Sequence, residues 1–171
     1  MDNDSNTALN TICQAGYLAD LNTSLAEELI EGGCDINKAN ISGKTPLMTF
    51  AERGNEVKYN IAELLLDNNA DITYADKNGN TALMYAAGQR NHHLGKLLLN
   101  AGADINSRNS YSETPLIVAS QCGFNDFTAM LIENNANVNA LDNDSRSAMD
   151  FASERGYTEI LEQLLVAGAG S

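Results

Sequence analysis

The chain has 171 residues, and 10 Lys or Arg against 23 Asp or Glu leave a net charge of −13. That balance argues against a nucleic acid or an anionic membrane as partner through a basic surface, while 43% hydrophobic residues suffice for a core and exclude wholesale disorder. No run approaches the roughly 18 apolar residues of a membrane span, and Cys13, Cys34 and Cys122, without a CxxC pair, suit neither a disulfide scaffold nor a finger-type zinc site.

The N-terminus, Met1-Asp2-Asn3-Asp4-Ser5, is acidic where a secretory leader is basic and then apolar, so the expected compartment is the cytosol. From there an internal period governs the chain. A Thr/Ser-x-apolar signature opens units at Thr7-Ala8-Leu9, Thr45-Pro46-Leu47, Thr81-Ala82-Leu83, Thr114-Pro115-Leu116 and Ser147-Ala148-Met149. Their starts lie 38, 36, 33 and 33 residues apart. Each Thr or Ser suits a helix N-cap, and the Pro or Ala after it suits the first helical position. Small and apolar residues follow at helical spacing, as in Leu83, Ala86 and Ala87. Gly16, Gly54, Gly123 and Gly156 end these first helices; the third unit has Arg90 there and predicts a strained or differently turned end.

A second helix follows in each unit, carrying Leu64-Leu65-Leu66, Leu97-Leu98-Leu99, Met130-Leu131-Ile132 and Leu164-Leu165 in the last four. Gly or Asn at positions 33, 69, 102, 135 and 168 predicts a left-handed cap. The closing segments Cys34-Asp35-Ile36-Asn37, Ala70-Asp71-Ile72-Thr73, Ala103-Asp104-Ile105-Asn106 and Ala136-Asn137-Val138-Asn139 read as turn chemistry, with Asp35, Asp71 and Asp104 bonding the hairpin start. The fifth copy stops at Gly168-Ala169-Gly170-Ser171. Asn3, Asn6 and Asn10 at one end, and Glu159, Glu162 and Gln163 at the other, are expected to be polar outer faces of the end units.

This grammar resembles the ankyrin repeat, whose pattern of about 33 residues begins T-P-L-H-x-A. Thr45-Pro46-Leu47-Met48 and Thr114-Pro115-Leu116-Ile117 match its start except at the His, where the five copies have Asn10, Met48, Met84, Ile117 and Asp150. The extra residues of the first two copies fall near 18–23 and 56–60. The resemblance implies a mainly α solenoid of stacked helix-turn-helix units with β-hairpin or loop connections. It would be a single domain over 1–171, with repeats near 5–40, 43–76, 79–109, 112–142 and 145–171. It also implies a protein partner held on a concave face made of hairpin tips and first helices.

Signs of catalysis are sparse. There is no GxGxxG, P-loop, HExxH or EF-hand pattern. Adjacent His92 and His93 point about 100° apart on a helix and cannot share a metal as an i, i+4 pair does, so a solvated helix start is the plainer reading. Cys122 as a nucleophile beside those histidines is the alternative, a ligand-, metal-binding or hydrolytic protein; a small residue near the surface is the plainer role. Cys13 and Cys34 suit core packing. No enzyme activity and no cofactor are expected.

What remains is surface. Framework slots should agree among copies and contact slots should differ. The tips read Ala39, Ile41, Ser42, Lys44; then Ala75, Lys77, Asn78, Asn80; then Arg108, Ser110, Tyr111, Glu113; then Leu141, Asn143, Asp144, Arg146. First-helix positions on that side add Thr49, Glu52, Arg53, Tyr85, Gln89, Val118, Gln121, Phe151 and Glu154. The anchors expected are Tyr85, Tyr111 and Phe151, since aromatics dominate interface energetics. For Tyr85 and Phe151 the competing reading is burial against a neighbouring repeat; no packing reason accounts for Tyr111 at a tip. Lys44, Arg53, Lys77, Arg108, Arg146 and Arg155 lie on or near this face, so a mixed groove and an acidic back are expected. The function expected is binding of another, basic protein by a monomer, in its sharper form a stand-alone inhibitor similar to immunity proteins built of ankyrin repeats. A targeting array within a larger protein is the further alternative.

Overall fold

The computed structural model describes residues 8–14, 19–53 and 59–170. Thr7, Asn3, Asn6, Gly16 and Gly54 lie outside them, as does most of the second insertion. Among the described residues ten helices follow one another: α1 (Ala8–Gln14), α2 (Ala19–Glu31), α3 (Pro46–Arg53), α4 (Tyr59–Asp67), α5 (Ala82–Gly88), α6 (His92–Asn100), α7 (Pro115–Cys122), α8 (Asn125–Glu133), α9 (Ala148–Arg155) and α10 (Thr158–Val166). The odd-numbered helices pack side by side in one layer, the even-numbered helices form a second, and each helix packs on its successor within a pair. The first insertion falls at the start of α2, which has 13 residues where the other second helices have 9.

The local signals act as their chemistry dictates. Oγ1 of Thr45, Thr81 and Thr114 accepts the amide of Met48, Met84 and Ile117, each at 3.4 Å. Ser147 goes further: it accepts from Asp150 N at 3.2 Å while Asp150 Oδ2 accepts from Ser147 N at 2.7 Å, a reciprocal capping box. The second helices end in left-handed residues, Gly33 (φ 80°), Asn69 (62°), Gly102 (91°), Asn135 (66°) and Gly168 (88°). This geometry lets the last carbonyls bond back to the turn, as Ala70 N does to Leu65 O at 2.9 Å. Arg90 takes the left-handed conformation of Gly123 and Gly156, at φ 56° against 75° and 73°. Its guanidinium donates to Asp126 at 2.8 Å, across to α8.

Between the layers, Leu47, Leu83 and Leu116 are 1% exposed and Leu65, Leu98, Leu131 and Leu164 are 0%. Each such side chain is worth about 1.5–3 kcal/mol of burial, and none could bury itself within a single helix pair. Ala86, Ala119 and Ala152, fully buried, let the first helices approach closely. Of the β-hairpin or loop connections expected, it is loops that form: among the described residues there is no strand, only an isolated bridge between Leu141 and Ser147. The arms are too short for a ladder, because each tip closes after five residues and then bonds to the next tip.

The positions where the family pattern has His divide by environment. Met48, Met84 and Ile117 are buried as apolar contacts, and Asp150 serves the capping box. Asn10, expected at an outer face, is instead fully buried. Its amide donates to Lys38 O at 2.9 Å and its oxygen accepts from Thr49 Oγ1 at 2.8 Å, tying the first repeat to the second.

Gly95 sits inside α6 because its missing side chain makes room: a Cβ there would meet Phe127 Cζ at 2.7 Å and Met130 Cε at 2.8 Å. Phe127 is fully buried and cannot retreat. Gly95→Ala gains about 1 kcal/mol of helix propensity but overpacks a filled interface, which costs about 1–3 kcal/mol. The expected result is net destabilisation by chemical denaturation, with recovery when Phe127→Leu is added; a more stable single variant would refute the packing account.

Candidate protein-binding surface

Four tips are built by one device. Oδ1 of Asn40, Asp76, Asn109 or Asp142 accepts two amides of its own turn, those two and four residues ahead, at 2.8–3.0 Å. The amide of the same residue closes the turn onto the carbonyl of Lys44, Asn80, Glu113 or Arg146 at 3.0–3.1 Å. An Asx side chain is the one that reaches back to its own backbone in this way. Consecutive tips are then bonded to each other: Lys77 N to Ser42 O at 3.5 Å, Ser110 N to Asn78 O at 2.8 Å, and Asn143 N to Tyr111 O at 2.9 Å. The tips therefore form one continuous rigid edge.

At the far end of the connecting segments, Asp35, Asp71, Asp104 and Asn137 each accept the amide two residues ahead. Asn37, Asn106 and Asn139 pass the bond to the following repeat, accepting from Asp71 N, Asn137 N and Gly170 N at 2.8–2.9 Å. Thr73 stands in this slot in the second repeat. It bonds Asp71 through both its hydroxyl and its amide, which holds that carboxyl below its ordinary range.

On this edge Tyr111 is 62% exposed and Ile41 54%. Lys77, Asn78, Asn143 and Asp144 are exposed, as are Arg53 and Gln89 on the first-helix side. Leu141, read as a tip residue but not counted among the anchors, is 45% exposed, a Leu where the other copies have Ala39, Ala75 and Arg108. Tyr74, at 37%, was not among the expected residues, and nothing in its slot signals exposure.

Two expected contacts are corrected. Thr49 and Phe151 are buried, each with 4% of its surface exposed. Thr49 is spent on Asn10, and Phe151 lies beneath Arg146, whose guanidinium stands 4.3 Å from the ring centre. Burial against the stack therefore prevails for Phe151.

The remaining groove residues hold one another. Tyr85 is half-buried, donates to Asp76 Oδ2 at 2.6 Å, and carries Lys44 Nζ 4.6 Å above its ring. Burial, then the Asp76 hydrogen bond and charge, push its phenol pKa well up. Lys44 pairs with Glu52 at 2.5 Å. Glu113 accepts from Gln121 at 2.7 Å and from Asn109 at 2.8 Å, and Asn109 also donates to Asn80 at 3.0 Å. Arg146 pairs with Asp142 at 3.1 Å and with Asp144 at 3.2 Å. Arg108 donates to Leu141 O, and Arg155 to Gln121 O at 2.5 Å. Four of the basic groups expected to be available for a partner are thus already engaged.

The residues weighed for chemistry do not make a reactive set. His92 is half-buried, edge-on to Phe127 with ring centres 6.2 Å apart, and His93 is exposed. Cys122 is exposed at the end of α7; desolvation and Glu113 raise its thiol pKa against the lowering effect of Arg155. That leaves less thiolate at neutral pH, the opposite of an activated nucleophile. Among the described residues no group of three or more His, Cys, Asp and Glu is placed to hold a metal.

A family model described as ankyrin repeats (3 copies) matches residues 12–109 and again 89–170. No curated protein matches the chain.

The tip device predicts a graded substitution series. Asp142→Ala leaves two amides without their acceptor and is expected to cost about 1–3 kcal/mol. Asp142→Asn keeps the acceptor, as Asn40 and Asn109 do, and is expected to cost less than Asp142→Ala, losing only the ion pair between the buried carboxylate and the half-exposed Arg146 guanidinium. Burial works to raise the Asp142 pKa, but the amides of Arg146 and Asp144 and the charge of Arg146 outweigh it and hold the carboxyl below its ordinary value. A depressed folded-state value stabilises fully above the unfolded pKa of about 4 and is lost as pH falls through the folded one. Denaturation curves from about pH 6 to pH 2 should therefore fall less steeply for Asp142→Asn than for the wild type.

Proposed function

We propose that this chain, which belongs to the ankyrin-repeat family, is a protein-binding module whose working face is the row of tips with the adjoining side of the first helices. Ankyrin repeats generally mediate protein–protein interaction. The observation that carries the reading here is Tyr111. Its slot holds Ser42, Asn78 and Asp144 in the other tips, and its ring is 62% exposed on a backbone bonded on both sides. A rigidly mounted aromatic loses little entropy on binding. Ile41 and Leu141 extend the apolar contact along the edge, and Lys77 beside them supplies a charge.

The pairs within the groove favour recognition by shape. Lys44 with Glu52 and Tyr85, Gln121 with Glu113, and Arg146 with Asp142 and Phe151 form walls ordered before any partner arrives. The partner we favour is basic, because a net charge of −13 steers cations at long range. In its sharper form the protein acts as a single copy in the cytosol and occludes a basic enzyme or toxin without chemistry of its own. The residues that form this face then are Ile41, Lys44, Arg53, Lys77, Asn78, Asn80, Tyr85, Gln89, Arg108, Tyr111, Glu113, Gln121, Leu141, Asn143, Asp144 and Arg146. No observation favours the hydrolytic or metal-binding alternative.

The test is capture from native lysate with the wild type and a Tyr111→Ala, Lys77→Glu double variant, both confirmed folded by circular dichroism. A partner held by the wild type and weakened about tenfold or more in the variant is the expected result, on the scale of about 1–3 kcal/mol per anchor. Equal retention by both would sink the concave-face assignment.

A further inference from the structure

The outer layer carries a groove unlike the concave face, between α8 and α10. It is lined by Ala129, Ile132 and Glu133 from α8 and by Glu159, Glu162, Gln163 and Val166 from α10. The spacings i, i+3, i+4 and i, i+3, i+4, i+7 put each set on one face of its helix. The floor is apolar and the rim acidic. Val166 is 90% exposed, in a slot filled by Asp67, Asn100 and Glu133 in the preceding repeats. Leu165 beside it is 59% exposed.

Charge and hydrogen bonding say what fits. Neither helix, 125–133 nor 158–166, contains a Lys, Arg or His. Glu159 accepts from Asn125, and Asp126 at the start of α8 pairs with Arg90. Glu133 and Glu162 are exposed carboxylates. Gln163 stands where the other copies have Leu64, Leu97 and Met130, and its side-chain oxygen is buried without a hydrogen-bond partner. An apolar residue in a polar slot, a polar one in an apolar slot, and an acidic rim without cations all point to an apolar ligand with positive edges.

We propose that this groove docks a basic amphipathic helix of a partner protein. The walls are helices whose main-chain groups are satisfied internally, so they offer no strand edge for an extended peptide to extend. Nine residues make each wall about 13 Å long, a length that two to three turns of a third helix match. Its apolar stripe would cover Ala129, Ile132 and Val166, and its Lys or Arg would meet Glu133, Glu159 and Glu162. This site is independent of the tip edge and stands or falls separately from the function proposed above.

The probe is a peptide of roughly five helical turns with Leu on one face and Lys on the other. Its controls are a scramble of the same composition without an apolar face, and the same peptide with Glu for Lys. Fluorescence anisotropy should show the probe binding about tenfold tighter than the scramble, and no binding of the Glu peptide. Val166→Asp, and separately Glu159→Lys with Glu162→Lys, should each weaken the probe about tenfold, while Tyr111→Ala with Lys77→Glu leaves it unchanged. Hydrogen exchange should slow over 125–133 and 158–166. Equal binding of the scramble would reduce the effect to net charge and overturn the proposal, and so would protection elsewhere. Concentration-dependent self-association abolished by Val166→Asp would overturn it too, by assigning the groove to a second copy.

Discussion

The structure depends on an acceptor oxygen three bonds from the backbone. At each tip one Asn or Asp gathers two amides of its own turn, and the resulting closed loops stack edge to edge through main-chain hydrogen bonds. Glu or Gln would overreach this geometry and Ser would supply a weaker acceptor. Because the tips are locked, the helix pairs attached to them repeat at a fixed offset. Leu83 then meets the same kind of surface as Leu47 and Leu116. The abundance of Asn in this chain follows from that requirement, since Asn37, Asn106 and Asn139 carry a second line of bonds between repeats.

The two layers divide the electrostatic work. Exposed acids concentrate on the second helices: Glu27, Glu28 and Glu31 on α2, Glu63 and Asp67 on α4, Glu133 on α8, Glu159 and Glu162 on α10. On the tip side, cations are mostly paired locally, as Lys44 with Glu52 and Arg146 with Asp142. The field that would attract a cationic partner at long range thus originates on the back, and in the function proposed above the edge would supply shape and a few apolar anchors. In each pair one partner is largely buried, and the pairing fixes side-chain positions over Tyr85 and Phe151.

Much of the fold was legible before any coordinates. Thr45, Thr81, Thr114 and Ser147 cap helices because a hydroxyl at that position has no better use. Gly102 and Asn135 end helices because their left-handed backbone excludes most other residues. The candidate surface was legible only where a residue had no competing role. Tyr111 at a tip has nothing to pack against, so its exposure could be read from the slot. Phe151 and Thr49 share one first-helix slot with Tyr85 and Val118, and that slot faces both the groove and the neighbouring repeat. Which way each side chain goes depends on its size and on the partner above it. Arg146, five residues earlier in the same repeat, covers Phe151; Asn10, 39 residues away in the preceding repeat, takes the hydroxyl of Thr49, a contact that no single window of sequence contains.

The sequence by itself determined the period, the two helices per unit, their caps and the composition of the tips. These are local choices, governed by backbone geometry within a few residues. Tertiary structure alone decided that the hairpin arms form no sheet, because the tips satisfy their amides sideways. It also decided that Asn10 is a buried tie between repeats, and that most of the concave cations are already engaged. The exposure of Val166 above an apolar groove is a result of stacking as well. The bonds of Asn10 to Lys38 and Thr49, and of Arg108 and Arg155 to the carbonyls of Leu141 and Gln121, join residues 28 to 39 apart in the chain, and packing, not propensity, sets those distances.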